Sequence, residues 1–529
     1  AMLSSNSPQE AAHMAAVAHL STIKSSIPFI HFFDGFRTSH EIQKVSLPEY
    51  DDLKKMIDFD ALEKFRSRAL NPNSPVTRGT AQNDDVYFQN REACNGYYEK
   101  VPGIVNDYMQ QINEKYGTSY KPFEYYGCKD AENIVIAMGS VCETAEEVID
   151  YLALKGEKVG LIKVRLYRPF SKSFLLDVIP KSAKVISVLD RTKEPGSAGE
   201  PLYLDVISAV KNTEFESVKV FSGRYGLSSK NTDPSHINAV FENMKSESPK
   251  TVFTVGINDD VTNLSLNIKE KIHTAPAETY ACKFWGIGSD GTVGASKNTI
   301  KIIGDKSDLN VQGFFSYDSK KSGGLTISHL RFGEKPIKST YYIENADFVA
   351  CHAPSYIFKY DLLKDLKPGG KFLLNCEWEE SELEKILPGR IKKALFDKKI
   401  DFYILNATKI SRDLGLGGRV NTALQAAFFK IVNIFAPETA LEFMKEYIAK
   451  TYGKKGQKVV EINCRCADAG MMNLKKFEIP QSWGECKIEP VFGDQVFRDG
   501  KIENFVKNIL DPISKTEGNN LPVSAFLPY

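Results

Sequence analysis

A chain of 529 residues is longer than a single hydrophobic core sustains, so three or four domains are expected. Lys+Arg 68 against Asp+Glu 67 leaves a formal charge of +1, which argues against a nucleic-acid partner held by bulk charge. Hydrophobic content of 42% is ordinary for a globular protein. No stretch approaches the roughly 18 apolar residues of a membrane span, so no membrane partner is expected.

The first 45 residues read as the rear of an α/β domain. Ser7 as N-cap, Pro8 at the first helical position and Glu10 completing a capping box predict a helix from Ser7 to Ser25. A buried strand, Pro28 to Phe33, follows it and ends in the turn Asp34-Gly35. Residues 46–125 form a polar connecting region with helical stretches, in which Pro72 and Pro75 make a rigid, non-helical link. The ends of the chain, Ala1-Met2-Leu3 without a signal peptide and Leu521 to Phe526 with mid-domain character, read as cuts in a longer polypeptide.

Residues 126–245 alternate between strand and helix. Strands are expected at Ile134 to Met138, Val159 to Val164, Lys184 to Leu189 and Val218 to Phe221. Helices are expected at Thr144 to Leu154, Ser171 to Ile179 and Pro201 to Lys211. That rhythm predicts βαβ units and a parallel sheet. After a polar loop at Lys245 to Lys250, residues 276–485 alternate again and end in a helical flank. Its strands are expected at Tyr280 to Trp285, Val311 to Tyr317, Leu325 to His329, Phe348 to His352, Phe372 to Leu374 and Phe402 to Leu405. Its helices are expected at Val293 to Ile303, Thr422 to Phe435 and Pro437 to Thr451. Residues 486–529 are too short and polar for a core of their own and read as the start of a further module.

The chemistry concentrates at Gly286-Ile-Gly288-Ser289-Asp290-Gly291-Thr292-Val293-Gly294-Ala-Ser-Lys297, between a strand and a helix. Its glycines permit positive φ and close backbone approach, and the helix start offers N–H groups to a pyrophosphate. Asp290 fits poorly with a bare anion hole; it takes a ligand N–H, caps the helix or pairs with Lys297. The strand after the helix ends in Asp318-Ser-Lys320-Lys321-Ser-Gly-Gly324. In a βαβ unit that position lies beside the ribose, and two lysines there suit a ribose phosphomonoester: the 3′-phosphate of coenzyme A or the 2′-phosphate of NADP. Surface lysines on a solvated turn are the plain alternative.

Other features carry less. His31, Asp34, Arg37, His40 and Glu41 fall at one strand end and read as a site edge or a salt-bridged junction. Arg78-Gly79-Thr80 reads as a docking loop, and Cys142, though near a helix start, as a structural thiol. The nine cysteines are odd in number and scattered, as reduced intracellular thiols are. None follows the iron–sulfur spacing of bacterial ferredoxins, and Cys464-Arg-Cys466 is too tight for half a zinc site.

Long strings of the chain resemble the single-chain pyruvate:ferredoxin (flavodoxin) oxidoreductases. They are Phe33 to Glu41, Gly79 to Gln82, Phe88-Gln89, Gly286 to Lys297, Tyr317 to Gly324, Ser328 to Gly333 and Leu521 to Phe526. The resemblance implies a multi-domain α/β protein of parallel-sheet βαβ domains. Residues 1–120 would be the rear of a thiamine-enzyme pyrimidine-type domain, and 121–275 a transketolase C-terminal-like domain. Residues 276–490 would be a gamma-type domain associated with coenzyme A, and 491–529 the start of a fourth.

The family converts pyruvate to acetyl-CoA and CO2 on thiamine diphosphate and passes electrons through [4Fe-4S] clusters to ferredoxin or flavodoxin. By this resemblance the main ligands of thiamine diphosphate, Mg2+ and the clusters lie outside the chain, which would not turn over pyruvate alone. Gly288 to Gly294 and Lys297 would hold the pyrophosphate of coenzyme A, and Lys320 and Lys321 its 3′-phosphate; Asp34, Arg37 and His40 would lie near the junction with the active site. A homodimer, docking to the remaining domains of the same polypeptide, and a cytoplasmic or organellar home (hydrogenosome or mitochondrion) are expected. An NADP-linked oxidoreductase and a non-catalytic assembly module stay open.

Overall fold

Strand β1 (Met2–Ser5) leads into the helix Pro8–Ser25 through a local hydrogen-bond exchange. Ser7 Oγ accepts the Glu10 N–H at 3.3 Å, while the Glu10 carboxylate reaches back to the Asn6 N–H at 3.0 Å, one residue before the cap. The computed structural model describes residues 1–76, 81–318, 323–488 and 500–527. Residues 1–39, 45–274 and 338–341 form one compact unit, and residues 40–44, 275–337 and 342–529 form another.

In the first unit β1 pairs in parallel with β2 (Ile30–Phe33). The next strand of the chain, β3 (Ile42–Gln43), belongs to the second unit. Between 46 and 116 the described residues are largely helical and end in the 22-residue helix Asn95–Tyr116. A six-stranded sheet follows, built from β4 (Phe123–Gly127), β5 (Asn133–Ala137), β6 (Val159–Val164), β8 (Val185–Asp190), β9 (Lys219–Arg224) and β10 (Val252–Thr254). Strand β7 (Leu166–Arg168) returns to pair with β1, giving a separate sheet of order β2-β1-β7. The larger sheet has the order β10-β9-β8-β5-β6-β4, parallel except where β4 meets β6. The expected parallel βαβ architecture is therefore present, and β6 and β8 flank β5 on opposite sides. The helix expected from Ser171 to Ile179 spans only Lys172–Leu176.

The helices Val141–Leu154 and Pro234–Met244 cover one face of this sheet and Pro201–Val210 the other. At its margin lies a buried charge chain. Arg165 pairs with Glu10 at 2.6 Å and with Glu124 at 2.5 Å, and Lys163 bridges Glu124 at 2.7 Å and Glu146 at 2.8 Å. Burial alone would raise the Glu10 carboxyl's pKa, but the Arg165 guanidinium outweighs it and leaves the pKa lowered.

The second unit is a single eight-stranded sheet. Its strands are β3, β11 (Tyr280–Ile287), β12 (Asn310–Tyr317), β13 (Leu325–Gly333), β14 (Ala346–Cys351), β15 (Leu366–Asn375), β16 (Asp401–Leu405) and β17 (Lys475–Phe477). They lie in the order β17-β16-β15-β14-β11-β13-β12-β3. Strands β11, β14, β15 and β16 are parallel, whereas β13 runs antiparallel to both β11 and β12.

This order corrects one expectation. The helix Thr292–Lys306 carries the chain from β11 to β12, but β12 is not the neighbour of β11. The chain turns back from β12 as a hairpin, and β13 takes that place. The same face is covered by the helices Asn421–Val432, Pro437–Tyr452 and Gln457–Met472. Among the described residues, no helix is long and apolar enough to cross a membrane.

Candidate ligand-binding site

The loop after β11 is held by its own aspartate. Asp290 Oδ2 accepts the Ile287 N–H at 2.8 Å and the Thr292 hydroxyl at 2.8 Å, and Oδ1 accepts the Thr292 N–H at 2.7 Å. Of the three roles open to Asp290 in the sequence, the structure shows the cap of the helix Thr292–Lys306. Gly291, at φ 94°, makes the turn into that helix, and Ser289 stands exposed at φ 76°. A Cβ on Gly286 would collide with the Thr292 side chain, so the loop closes only because that position is glycine.

Behind the loop, Thr292 is tied to groups distant in sequence. Its hydroxyl lies 3.0 Å from His352 Nδ1 and 3.1 Å from Asn421 Oδ1. His352 Nδ1 lies 2.9 Å from Asn421 Oδ1, and Asn421 Nδ2 donates to the Asp290 carbonyl at 2.6 Å. An N–H on Nδ1 satisfies that contact and fixes the tautomer of a neutral ring. Burial lowers the His352 pKa, with the Asn421 hydrogen bond offsetting part of the effect. His352 and Asn421 were missed by the sequence reading. The signal for His352 was its position as the last residue of a predicted strand, where parallel sheets place their sites.

The hairpin brings a second segment to the loop. Gly288 N–H donates to the Gly324 carbonyl at 2.6 Å, and Gly323 N–H donates to the Gly288 carbonyl at 3.2 Å. Between the loop and the hairpin opens a cleft of about 520 Å3, lined by Gly288 to Gly291, Val293, Tyr317, Asp318 and Thr326. The Val293 and Gly294 N–H groups lie in the helix's first turn, with no acceptor inside the helix. The buried Thr326 hydroxyl has no hydrogen-bond partner among the described residues. Lys297 does not turn to the loop; its ammonium sits 5.2 Å from the centroid of the Phe315 ring. Lys320 and Lys321 lie outside the described residues, but both ends of their segment, Asp318 and Gly323, are at the cleft.

The cluster expected from Asp34 to His40 is divided between the units. Asp34 belongs to the first, where it accepts from Ser140 N–H at 2.8 Å and Ser140 Oγ at 2.6 Å and pairs with Arg191 at 2.8 Å. Buried Arg37 is in the same unit and donates to the Ser229 carbonyl at 2.9 Å. His40 belongs to the second unit, packed edge-on against Tyr317 of the cleft at 6.0 Å. Cys142 lies fully buried in the first turn of its helix, and burial pushes its thiol pKa up. Arg78, Gly79 and Thr80 lie outside the described residues. Among the described residues, no group of three or more His, Cys, Asp or Glu is placed to hold a metal ion.

Three family models match this chain. "Pyruvate flavodoxin/ferredoxin oxidoreductase, thiamine diP-bdg" matches residues 1–110, "Pyruvate:ferredoxin oxidoreductase core domain II" matches 131–237, and "Pyruvate ferredoxin/flavodoxin oxidoreductase" matches 281–472. The chain is 52% identical over 528 residues to the pyruvate:ferredoxin oxidoreductase of Moorella thermoacetica, covering 100% of itself and 45% of that protein. It is 52% identical over 527 residues to the pyruvate-flavodoxin oxidoreductase of Enterobacter agglomerans, covering 99% of itself and 44% of that protein. It is 46% identical over 554 residues to the pyruvate dehydrogenase [NADP(+)] of Cryptosporidium parvum, covering 100% of itself and 29% of that protein. The chain thus spans less than half the length of these relatives, and it belongs to the pyruvate ferredoxin/flavodoxin oxidoreductase family.

Proposed function

We propose that this chain is an internal part of a pyruvate:ferredoxin or flavodoxin oxidoreductase and that it binds coenzyme A in the cleft of its second unit. In the proposed reaction pyruvate loses its carboxylate as CO2, its acetyl group passes to the coenzyme A sulfur, and two electrons leave singly to ferredoxin or flavodoxin. The observation that carries the coenzyme A reading is the pairing of Gly288 with Gly323 and Gly324. It brings both ends of the Lys320–Lys321 segment to a glycine loop at a helix start, where a pyrophosphate and a ribose phosphate can be held together.

Each cleft residue has a role in this reading. The N–H groups of Val293 and Gly294 and the Ser289 hydroxyl meet the pyrophosphate, while Gly288, Gly291 and Gly294 keep the backbone accessible. Asp290 and Thr292 hold the loop's shape. Lys320 and Lys321 meet the 3′-phosphate, and Lys297 reaches a ligand only by leaving the Phe315 ring, at a cost of about 0.5–1 kcal/mol. Thiamine diphosphate, Mg2+ and the clusters belong to the whole polypeptide, so this chain alone does not turn over pyruvate. The proposal includes the division at residues 120, 275 and 490 and a homodimeric whole protein.

The test is calorimetric titration of the chain with coenzyme A, dephospho-coenzyme A and NADP, repeated on Lys320→Ala/Lys321→Ala. Coenzyme A is expected to bind, and loss of either the 3′-phosphate or the lysines to weaken it by roughly 1.5–3 kcal/mol. Binding of NADP alone would replace this reading with an NADP-linked one, which the Cryptosporidium parvum relative's name motivates. Binding of neither would leave the assembly-module reading.

A further inference from the structure

We propose that the first unit carries a ligand site of its own, at the carboxyl ends of β5 and β8, for a small planar molecule that is neutral or cationic. The topology points there first. β6 lies to one side of β5 and β8 to the other, so the chain reverses its winding between β5 and β8. Ligand crevices of open α/β sheets form outside the strand ends at such a switch point. A crevice of about 460 Å3 opens at this place, between Met138-Gly139 after β5 and Asp190-Arg191-Thr192 at the end of β8.

Its walls define the ligand. Phe32, Phe33 and Tyr167 line it, and Phe33 is left 41% exposed. Aromatic walls favour a flat ring. Ser4, beside Phe32 on β1, is fully buried and also lines the crevice; its hydroxyl has no hydrogen-bond partner among the described residues. A fully buried hydroxyl at the wall of an open crevice calls for a polar ligand edge.

The charge follows from Asp190. Its carboxylate accepts the Leu202 N–H at 3.0 Å and the Tyr203 N–H at 3.1 Å, so the anion-attracting start of the helix Pro201–Val210 is already filled. Arg191, the cation of the crevice, is neutralised by Asp34 at 2.8 Å. With that pair cancelled, the buried Asp190 disfavours phosphates and carboxylates and favours an N–H donor or a cation against the aromatic walls.

Three one-ring probes test this on the chain itself: benzamidine as a planar cation, benzyl alcohol as a neutral ring and benzoate as an anion, each by saturation-transfer NMR. Benzamidine and benzyl alcohol are expected to receive saturation and benzoate not. Asp190→Asn removes the charge while its single amide oxygen keeps one of the two N–H bonds to the helix start, and should weaken benzamidine about tenfold. Thr192→Trp, at the half-exposed rim, should abolish both signals by filling the mouth. Absence of transfer to all three probes, transfer undiminished in Thr192→Trp, or benzoate binding as tightly as benzamidine would each overturn the proposal.

Discussion

Asp290 and Thr292 clasp each other through two atoms apiece: one carboxylate oxygen takes the Thr292 N–H at 2.7 Å and the other takes its hydroxyl at 2.8 Å. Removing the clasp should loosen the second unit specifically. Asp290→Ala is expected to cost about 1–2 kcal/mol and Asp290→Asn less, as for other helix caps. The chain's three tryptophans, Trp285, Trp378 and Trp483, all lie in the second unit, so tryptophan fluorescence during urea unfolding reads that unit alone.

Gly286→Ala should be worse than its size suggests. The added methyl meets the Thr292 side chain, which is fixed by Asp290, His352 and Asn421 and has nowhere to turn. Overpacking of this kind costs about 1–3 kcal/mol. The same fluorescence midpoint should fall accordingly; an unchanged midpoint would show that the Thr292 network yields freely.

His352 makes the second unit acid-sensitive. Burial holds its folded pKa below the ordinary value of about 6.5, so the unfolded chain takes up its proton first as the pH drops. The stability it contributes is therefore present above about pH 6.5 and lost as the pH falls toward the folded value. Unfolding midpoints measured from pH 7.5 down to 5 should fall more steeply in the native chain than in His352→Gln.

In the first unit the buried charge chain should respond asymmetrically. Arg165→Met leaves Glu10 and Glu124 facing each other without their shared cation, which should cost about 3–5 kcal/mol. Glu10→Gln keeps the shape and should cost less. The Glu10 pKa is lowered on folding, so its contribution is present above the unfolded carboxyl value and lost as the pH falls through the folded one. Circular dichroism at decreasing pH should show Glu10→Gln losing less stability to acid than the native chain.

Much of the architecture was legible because strand and helix have different apolar periods. On that basis the alternation over residues 126–245 predicts a parallel sheet, and β5, β6, β8 and β9 are parallel. Pairing was not legible. Nothing local in Val311 to Tyr317 says that β13, rather than β12, lies against β11, because hairpin and crossover strands share one pattern. The two-residue strand β3 is too short to carry any period, so the transfer of residues 40–44 into the second unit, which parts His40 from Asp34, left no trace. The glycine loop announced itself by composition. The groups behind it did not, since Thr292 meets His352 60 positions away and Asn421 129 positions away.

The clasp of Asp290 has one more consequence. A loop that supplies its own anion is shaped before any ligand arrives, so its backbone entropy is lost when the chain folds and not when the cleft fills. The cleft is in that sense a mould already set along its Ile287 to Thr292 edge. Ligands should then be sorted there by how well they fit standing N–H groups, with fast entry and little heat-capacity change from loop ordering.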